Sequence, residues 1–293
     1  MRVLVIGRSG QVAQALKAVG GDGVRCVGRP DIDLSDRESI QRVVSDATED
    51  VVINAAAYTS VDGAESHRED AYLLNETGPL HLAEACRGRG LPLIHLSTDC
   101  VFDGQSQQPY GRGDATSPLG VYGASKLAGE AAVLRALSQS LVFRITWVFS
   151  EYGSNFVRTM LKLASGRDEI QVVSDQMGCP SYAPDIAKSL LSISRQCLTP
   201  DFGDWGTYHL AGNEAITRSR MAEHIMQCSA ALNGPSARIL PILTQDYSTP
   251  AERPLNARLD SADTTETFGT AITDWQTSLR HTVAEIFKDG STL

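Results

Sequence analysis

Residues 3–13 read Val-Leu-Val-Ile-Gly-Arg-Ser-Gly-Gln-Val-Ala, and this stretch decides the fold. Its first four residues are apolar and mostly β-branched, which is typical of a buried strand of a parallel sheet. Gly7 and Gly10 allow a tight turn before a predicted helix. Such a turn lets backbone amides approach a pyrophosphate, whose charge the helix N-terminus favours. We therefore expect a dinucleotide to bind here; a plain strand-to-helix turn is the alternative.

Strand and helix patterns alternate through the first half of the chain. Buried strands are predicted at residues 3–6, 24–27, 51–53, 93–96 and 141–145, and helices near 11–19, 36–47, 68–88 and 121–138. A capping-box pattern from Ser35 to Glu38 predicts the start of the second helix. This alternation favours an α/β fold with a Rossmann-type, doubly wound parallel sheet. We expect residues 1–150 to form this NAD(P)-binding domain, with later segments returning to it.

The alternation weakens after residue 150. Helices are predicted near 155–165, 184–196 and 217–231, with a strand at 208–210. The stretch 233–258 is polar and contains four prolines, which disfavour a long helix. We expect residues 151–293 to form mainly a smaller α/β substrate-binding lobe over the open edge of the sheet.

Composition excludes several classes of protein. The net charge of −9 and the lack of a long Lys/Arg run argue against a nucleic-acid binder. No stretch approaches the roughly 20 apolar residues of a membrane-spanning helix, so no membrane role is expected. The six cysteines are scattered, without a C-x-x-C pair or a histidine cluster, which predicts free thiols in the cytoplasm and no metal site. Glu285 alone is too little for a magnesium site.

A Tyr122–Lys126 pair suggests proton transfer. The two residues are four apart in a predicted helix, so their side chains share one face. A phenol has an ordinary pKa of about 10, and a nearby ammonium lowers it. Such a pair can move a proton to or from a sugar oxygen, although an isolated Y-x-x-x-K is more often a surface pair. Ser97 and Thr98 precede it at the end of a predicted strand.

The end of the second strand bears on the choice of cofactor. The usual acidic residue is missing there, and Arg29 could receive a 2′-phosphate, which favours NADP(H). Asp31 and Asp33 follow closely and could bind a ribose instead, so NAD(H) is possible.

Several motifs occur together and in order. They are residues 7–11, 54–62 with 64–65, 97–104, 117–123, 126–130, 144–149, 155–156 and 249–254. Through them nearly the whole chain resembles the extended short-chain dehydrogenase/reductases and, among these, the dTDP-4-dehydrorhamnose reductase family. The resemblance implies hydride transfer from NAD(P)H to C4 of a nucleotide-linked 4-keto-6-deoxy sugar, giving dTDP-L-rhamnose. The expected partner is thus a nucleotide sugar, and the expected assembly is a monomer or homodimer.

The resemblance also implies roles for individual residues. Tyr122 would protonate the C4 oxygen, Lys126 would lower the Tyr122 pKa and bind the nicotinamide ribose, and Thr98 would polarise the carbonyl, with Ser97 as the alternative donor. The residues expected to bind the cofactor are Gly7, Ser9, Gly10, Gln11, Val12, Arg29, Asp33, Leu34, Ala55, Ala56, Ala57, Thr59, Asn75, Ser97, Tyr122 and Lys126. Those expected to bind the substrate are Val61, Asp62, Thr98, Asp99, Cys100, Tyr122, Trp147, Asn155 and Arg253.

Three of these residues have a stated reason and an alternative. Trp147 could stack on a sugar face but would otherwise be core, and Arg253 could bind the diphosphate as a bidentate, permanent cation. Asn75 matches the family's polar residue beneath the active site, with a surface helical asparagine as the alternative.

Cys100 departs from the family, which usually has a tyrosine directly after Ser-Thr-Asp. We expect the sugar pocket to be larger or less polar here, and this leaves the exact sugar open. The alternatives are a sister reductase giving a product such as 6-deoxy-talose, and a non-catalytic NADP-binding regulatory relative. An epimerase or dehydratase of the same fold is disfavoured, because only Asp99 supplies an acid after Thr98.

Overall fold

A six-stranded parallel sheet forms the centre of the molecule in a computed structural model that describes residues 1–270, 272 and 274–288. The strands are β1 (Val3–Ile6), β2 (Val24–Val27), β3 (Val51–Asn54), β4 (Leu93–Thr98), β5 (Ser140–Ile145), β6 (Val148–Phe149), β7 (Glu169–Val173), β8 (Met177–Gly178), β9 (Ser181–Tyr182), β10 (Gly206–His209), β11 (Ile216–Thr217), β12 (Arg238–Ile242) and β13 (Asn256–Ala257). The central sheet has the order β10-β5-β4-β3-β1-β2, and its pairings are all parallel. The expected α/β, Rossmann-type fold is confirmed.

Helices cover both faces of this sheet. They are α1 (Gln11–Gly20), α2 (Arg37–Ser45), α3 (Val61–Ser66), α4 (Arg68–Tyr72), α5 (Gly78–Arg89), α6 (Val121–Ala136), α7 (Phe156–Ala164), α8 (Ala183–Gln196), α9 (Arg218–Ala231), α10 (Ala262–Phe268) and α11 (Trp275–Lys288). Successive side chains of β1 point alternately into two hydrophobic cores. Val3 and Val5 pack with α1 and α8, whereas Leu4 and Ile6 pack with α2 and α5.

Three elements of the later half belong to the core of the central sheet. β10 pairs with β5, α8 packs against α1 through buried side chains such as Ile186 and Leu190, and α10 adds Phe268 to the same core. The remaining later elements form their own core around α7, α9 and α11, with Trp275 only 2% exposed. The strands β7 and β12 pair beside them.

Most predicted elements of the first half are confirmed, with two corrections. The stretch predicted as one helix near 68–88 is divided into α4, a π-helical turn at Leu73–Thr77 and α5. The second helix begins one residue later than a capping box from Ser35 requires, because Asp36 is the N-cap and accepts the Glu38 amide. The elements that were not predicted are α3, α10, α11, β7 and the short strands β6, β8, β9, β11 and β13. β12 also was not predicted and lies in the stretch 233–258 that was expected to be loop.

No helix among the described residues combines the length and apolarity needed to cross a membrane. Within the same residues, no three His, Cys, Asp or Glu side chains are grouped as metal ligands would be.

Candidate active site

Two cavities meet at the carboxyl ends of the central strands, where ligands bind to open α/β sheets. The main cavity, of about 620 Å³, receives residues from the turn after β1, the ends of β3, β4 and β5, and α6. The side cavity, of about 440 Å³, lies between the ends of β1 and β2. Both cavities contain Ser9, Ala56 and Ala57, so one extended ligand can occupy the two together.

The structure distributes the predicted site residues over these cavities. Those lining the main cavity are Ser9, Gly10, Gln11, Val12, Ala55, Ala56, Ala57, Thr59, Val61, Ser97, Thr98, Asp99, Cys100, Tyr122, Lys126, Trp147 and Arg253. Gly7, Arg29, Asp33 and Leu34 line the side cavity. Asp62, Asn75 and Asn155 line neither.

The turn after β1 has the geometry of a phosphate-binding loop. Gly7 has φ 127°, a conformation that favours glycine, and a Cβ there would lie 3.3 Å from the Ala55 carbonyl carbon. Gly10 is the N-cap of α1 and offers no side chain to the helix N-terminus. The free amides of the first helical turn therefore face the space over Ala55 and Ala56, as a pyrophosphate requires.

Exposed ion pairs border the side cavity. The Arg29 Nε lies 3.0 Å from Asp33 Oδ2, and Arg8 pairs with Asp31. Hydrogen bonds from Ser35, with help from Arg29, lower the pKa of Asp33 to about 2. Arg8 was not among the predicted cofactor contacts, although it also lines this cavity. Two arginines, each held by an aspartate, thus stand where the ribose of a dinucleotide would lie.

Glycines bring α6 into contact with the end of β4. A Cβ on Gly123 would overlap the carbonyl oxygen of Cys100, and one on Gly129 would overlap the carbonyl oxygen of Asn75. This close approach places Tyr122 and Lys126 beside Thr98 in the main cavity.

The pKa of Tyr122 is raised, although the neighbouring Lys126 was expected to lower it. Burial is the main cause that raises the pKa of Tyr122, the nearby thiol of Cys100 adds to it, and a hydrogen bond with Thr98 opposes it. Lys126 is 2% exposed and donates from Nζ to the Leu96 carbonyl oxygen at 2.7 Å. Burial lowers the pKa of Lys126 to about 8, against the charge of Glu130. Burial, rather than a neighbouring ammonium, is therefore the leading influence on the Tyr122 pKa.

Ser97 and Thr98 face different partners, as adjacent strand residues do. The Ser97 hydroxyl donates to Glu130 Oε1 at 2.5 Å, and Glu130 forms a buried salt bridge with Arg144 at 2.7 Å. Thr98 instead hydrogen-bonds with Asp99 Oδ1 at 2.9 Å, and its hydroxyl lowers the pKa of the nearby Tyr122. Of the two hydroxyls, only Thr98 is placed to act on a ligand beside Tyr122.

Two asparagines of the predicted site make structural hydrogen bonds. Asn75 is fully buried, and its amide bonds the Tyr58 backbone at 2.8 and 3.1 Å and the Ser125 hydroxyl at 3.0 Å. Asn155 is the N-cap of α7 and donates to Gln11 and to the Ser150 carbonyl. Both amides are thus engaged inside the protein and neither residue lines the cavities, so their contacts with a cofactor or a sugar stay predictions.

Trp147 lies in the main cavity next to an arginine that the sequence did not reveal. Its φ of 43° is rare for an aromatic residue, and such strain is often retained at functional sites. The guanidinium of Arg218 lies 3.5 Å from the centre of a Trp147 ring, and Gly178 packs directly on the indole. Burial lowers the pKa of Arg218 to about 10, and the charge of Asp99 opposes this. Other lining residues that were missed include Thr146, Ser154, Phe156 and Gln176.

Asp62 and Arg253 were both expected to contact substrate, and here they contact each other. Arg253 Nη2 lies 2.8 Å from Asp62 Oδ2, and the Ala251 amide donates to Asp62 at 3.2 Å. The ion pair ties the loop that contains Arg253 to α3, while Arg253 itself still lines the main cavity.

Comparisons with known proteins agree with this geometry. A dTDP-4-dehydrorhamnose reductase of Sinorhizobium fredii is 41% identical over 293 residues, which cover 99% of each chain. Among solved structures, the dTDP-4-dehydrorhamnose reductases of Clostridium acetobutylicum and Bacillus anthracis give TM-scores of 0.89 and 0.88 at 29% identity, covering 97% of this chain and 99% of theirs. The Bacillus anthracis structure is a complex with NADP. The model of the RmlD substrate binding domain family matches residues 1–287, and the chain belongs to this family.

Proposed function

We propose that the chain is an NAD(P)H-dependent reductase that converts dTDP-4-dehydro-L-rhamnose into dTDP-L-rhamnose. One observation carries the proposal: Thr98, Tyr122 and Lys126 converge in a single cavity that also receives the glycine turn after β1. The 41% identity to a dTDP-4-dehydrorhamnose reductase supports the choice of sugar.

The residues present fit a dinucleotide. Gly7 and the small side chains after β3 leave room for a pyrophosphate over the strand ends, and a Cβ on Gly7 would reduce that room. A reduced nicotinamide bound in the main cavity would supply the hydride. Arg29 and Arg8 favour NADP(H) over NAD(H), because an exposed guanidinium can exchange its aspartate for a 2′-phosphate.

The protein's own residues supply the proton and hold the carbonyl. Tyr122 remains protonated at neutral pH, since burial raises its pKa, and this suits a general acid. The phenol gives its proton to the C4 oxygen as negative charge develops there. Thr98 donates a hydrogen bond to the same oxygen and stabilises that charge. Lys126, once charged, stabilises the phenolate that remains.

The lobe completes the proposed site. We assign residues 1–150, with α8 and β10, to cofactor binding, and the rest of 151–293 mainly to the sugar nucleotide. Arg253 would leave Asp62 to bind the diphosphate, and Trp147 with Arg218 would border the sugar. The six free thiols fit a cytoplasmic enzyme. Monomer and homodimer are both compatible with this site, which one chain builds alone.

Turnover with a defined substrate tests the proposal. We expect NADPH absorbance to fall when dTDP-4-dehydro-L-rhamnose is added, and we expect the product sugar to be rhamnose by chromatography. A 6-deoxy-talose product would support reductase activity but refute the expected face of hydride addition to C4. Binding of NADPH without turnover at any pH would instead indicate a non-catalytic relative.

A further inference from the structure

The hydrogen bonds of Thr98 determine what this residue can offer to a substrate. A threonine hydroxyl has one proton and two lone pairs. Oγ1 of Thr98 accepts the backbone N–H of Cys100 at 3.1 Å and lies 2.9 Å from Oδ1 of Asp99. The Tyr122 hydroxyl lies in the same cavity, and Thr98 influences its pKa. The ionisation of Asp99 therefore decides where the Thr98 proton points.

The two ionisation states of Asp99 have opposite consequences. An ionised carboxylate only accepts, so the Thr98 proton points at Asp99 and a lone pair faces the cavity. A carbonyl oxygen placed there would meet that lone pair. A protonated Asp99 donates to Thr98 instead, both lone pairs of Oγ1 are then occupied, and its proton must point into the cavity.

We propose that Asp99 carries a proton in the active reductase and thereby directs the Thr98 hydroxyl at the carbonyl oxygen of the substrate. Asp99 is a positioning residue that acts through Thr98, and the inference rests on the proposed function. The proton of Asp99 is not consumed, because Tyr122 supplies the proton that the new hydroxyl group takes.

The surroundings of Asp99 support the protonated form. Asp99 is 8% exposed, and burial raises the pKa of its carboxyl. The opposing influences are the hydrogen bonds from Thr98 and from Thr146, the latter at 2.7 Å, and the charge of Arg218 on α9. The other titratable or charged groups around it are Tyr122, the thiols of Cys100 and Cys179, and Arg253 near Arg218. The rival role for Asp99 is an ionised counter-ion of Arg218.

Asp99→Asn separates the two roles. The amide of D99N mimics the protonated acid, because its NH₂ can donate to Thr98 while its carbonyl accepts from Thr146. We expect kcat/KM of D99N to remain within about tenfold of wild type, because the net free energy of one neutral hydrogen bond corresponds to a factor of up to about ten. We also expect wild-type kcat/KM to fall as pH rises through the Asp99 pKa, and D99N to lack this fall. At higher pH Lys126 loses its charge in both proteins, and the resulting fall of kcat/KM serves as the internal reference.

Two further variants keep the test decisive if D99N is perturbed. Asp99→Ala neither donates to Thr98 nor accepts from it, so the Thr98 proton is no longer directed. Its kcat/KM should fall more than that of D99N but by less than about 100-fold, the effect of a lost oxyanion donor. Thr146→Val removes a hydrogen bond that favours the ionised carboxylate, so the Asp99-dependent fall should move to higher pH. Thermal denaturation identifies variants that fail to fold.

An infrared titration of the substrate-free protein tests the protonation separately from turnover. We expect the carbonyl stretch of a protonated carboxyl group at neutral pH in the wild type and its absence in D99N. Inactive D99N that folds normally, or an ionised Asp99 at the pH of full activity, would overturn the proposal in favour of the counter-ion role. Absent wild-type turnover would refute the proposed function and leave the infrared result intact.

Discussion

Lys126 and Asp99 are buried in the main cavity, whereas the arginines of the side cavity face solvent. Lys126 is 2% exposed and Asp99 8%, and burial is the leading cause of the pKa shift of each. The side chains of Arg8 and Arg29 are 50% and 67% exposed, and each pairs with an aspartate in water. Desolvation would thus govern the proposed proton transfer, while the proposed cofactor preference would rest on exposed ion pairs that a ligand can exchange.

The largest effect is expected inside the main cavity. Tyr122→Phe removes the proposed acid and should lower kcat about 1,000-fold, within the range for general acid catalysis. Binding of NADPH, followed by protein fluorescence, should persist because the glycine turn is unchanged. Near-normal turnover of this variant would show that another group protonates the sugar oxygen.

The free energy of unfolding should also depend on whether an ion pair is buried or exposed. Glu130→Ala leaves Arg144 buried without its partner and should lower the free energy of unfolding by about 3–5 kcal/mol. Arg29→Ala breaks only an exposed pair and should cost less than about 1 kcal/mol. Urea unfolding of both variants measures the contrast, and similar losses would contradict it.

The smallest effect concerns the side cavity. Arg29→Ala and Arg8→Ala should each weaken NADPH binding about tenfold relative to NADH, the scale of one hydrogen bond to a charged group. Arg37→Ala is a matched control, since Arg37 is exposed and paired with Glu84 but lines neither cavity. Isothermal titration with both cofactors decides the point: equal losses would exclude contact with a 2′-phosphate.

Local patterns predicted the sheet and the glycine turn well. β1 and β2 have the predicted bounds, because short runs rich in apolar residues and a following glycine are properties of adjacent residues. The pair Tyr122 and Lys126 was found for the same reason, since helical spacing fixes a shared face.

Contacts between distant segments were not predictable in the same way. Arg218 reaches the site because α9 packs beside Trp147, a contact between residues 71 positions apart in the chain. The hydrogen bonds of Thr98 depend on the side-chain conformation of Asp99, which also bonds Thr146. The spacing of residues in the sequence does not predict these contacts. The N-cap role of Asn155 could not be told from a ligand contact in the sequence, because both use the same polar residue.

The proposed catalytic geometry depends on glycines of α6 because these residues have no Cβ atom. Each glycine costs a helix about 1 kcal/mol relative to alanine, yet Gly123 and Gly129 meet backbone oxygens where a methyl group cannot fit. Substituting them would push the helix outward and carry the phenol and the ammonium away from Thr98 together. A redesign for new sugars therefore has more freedom at Cys100, which lines the main cavity, than at two glycines that line neither cavity.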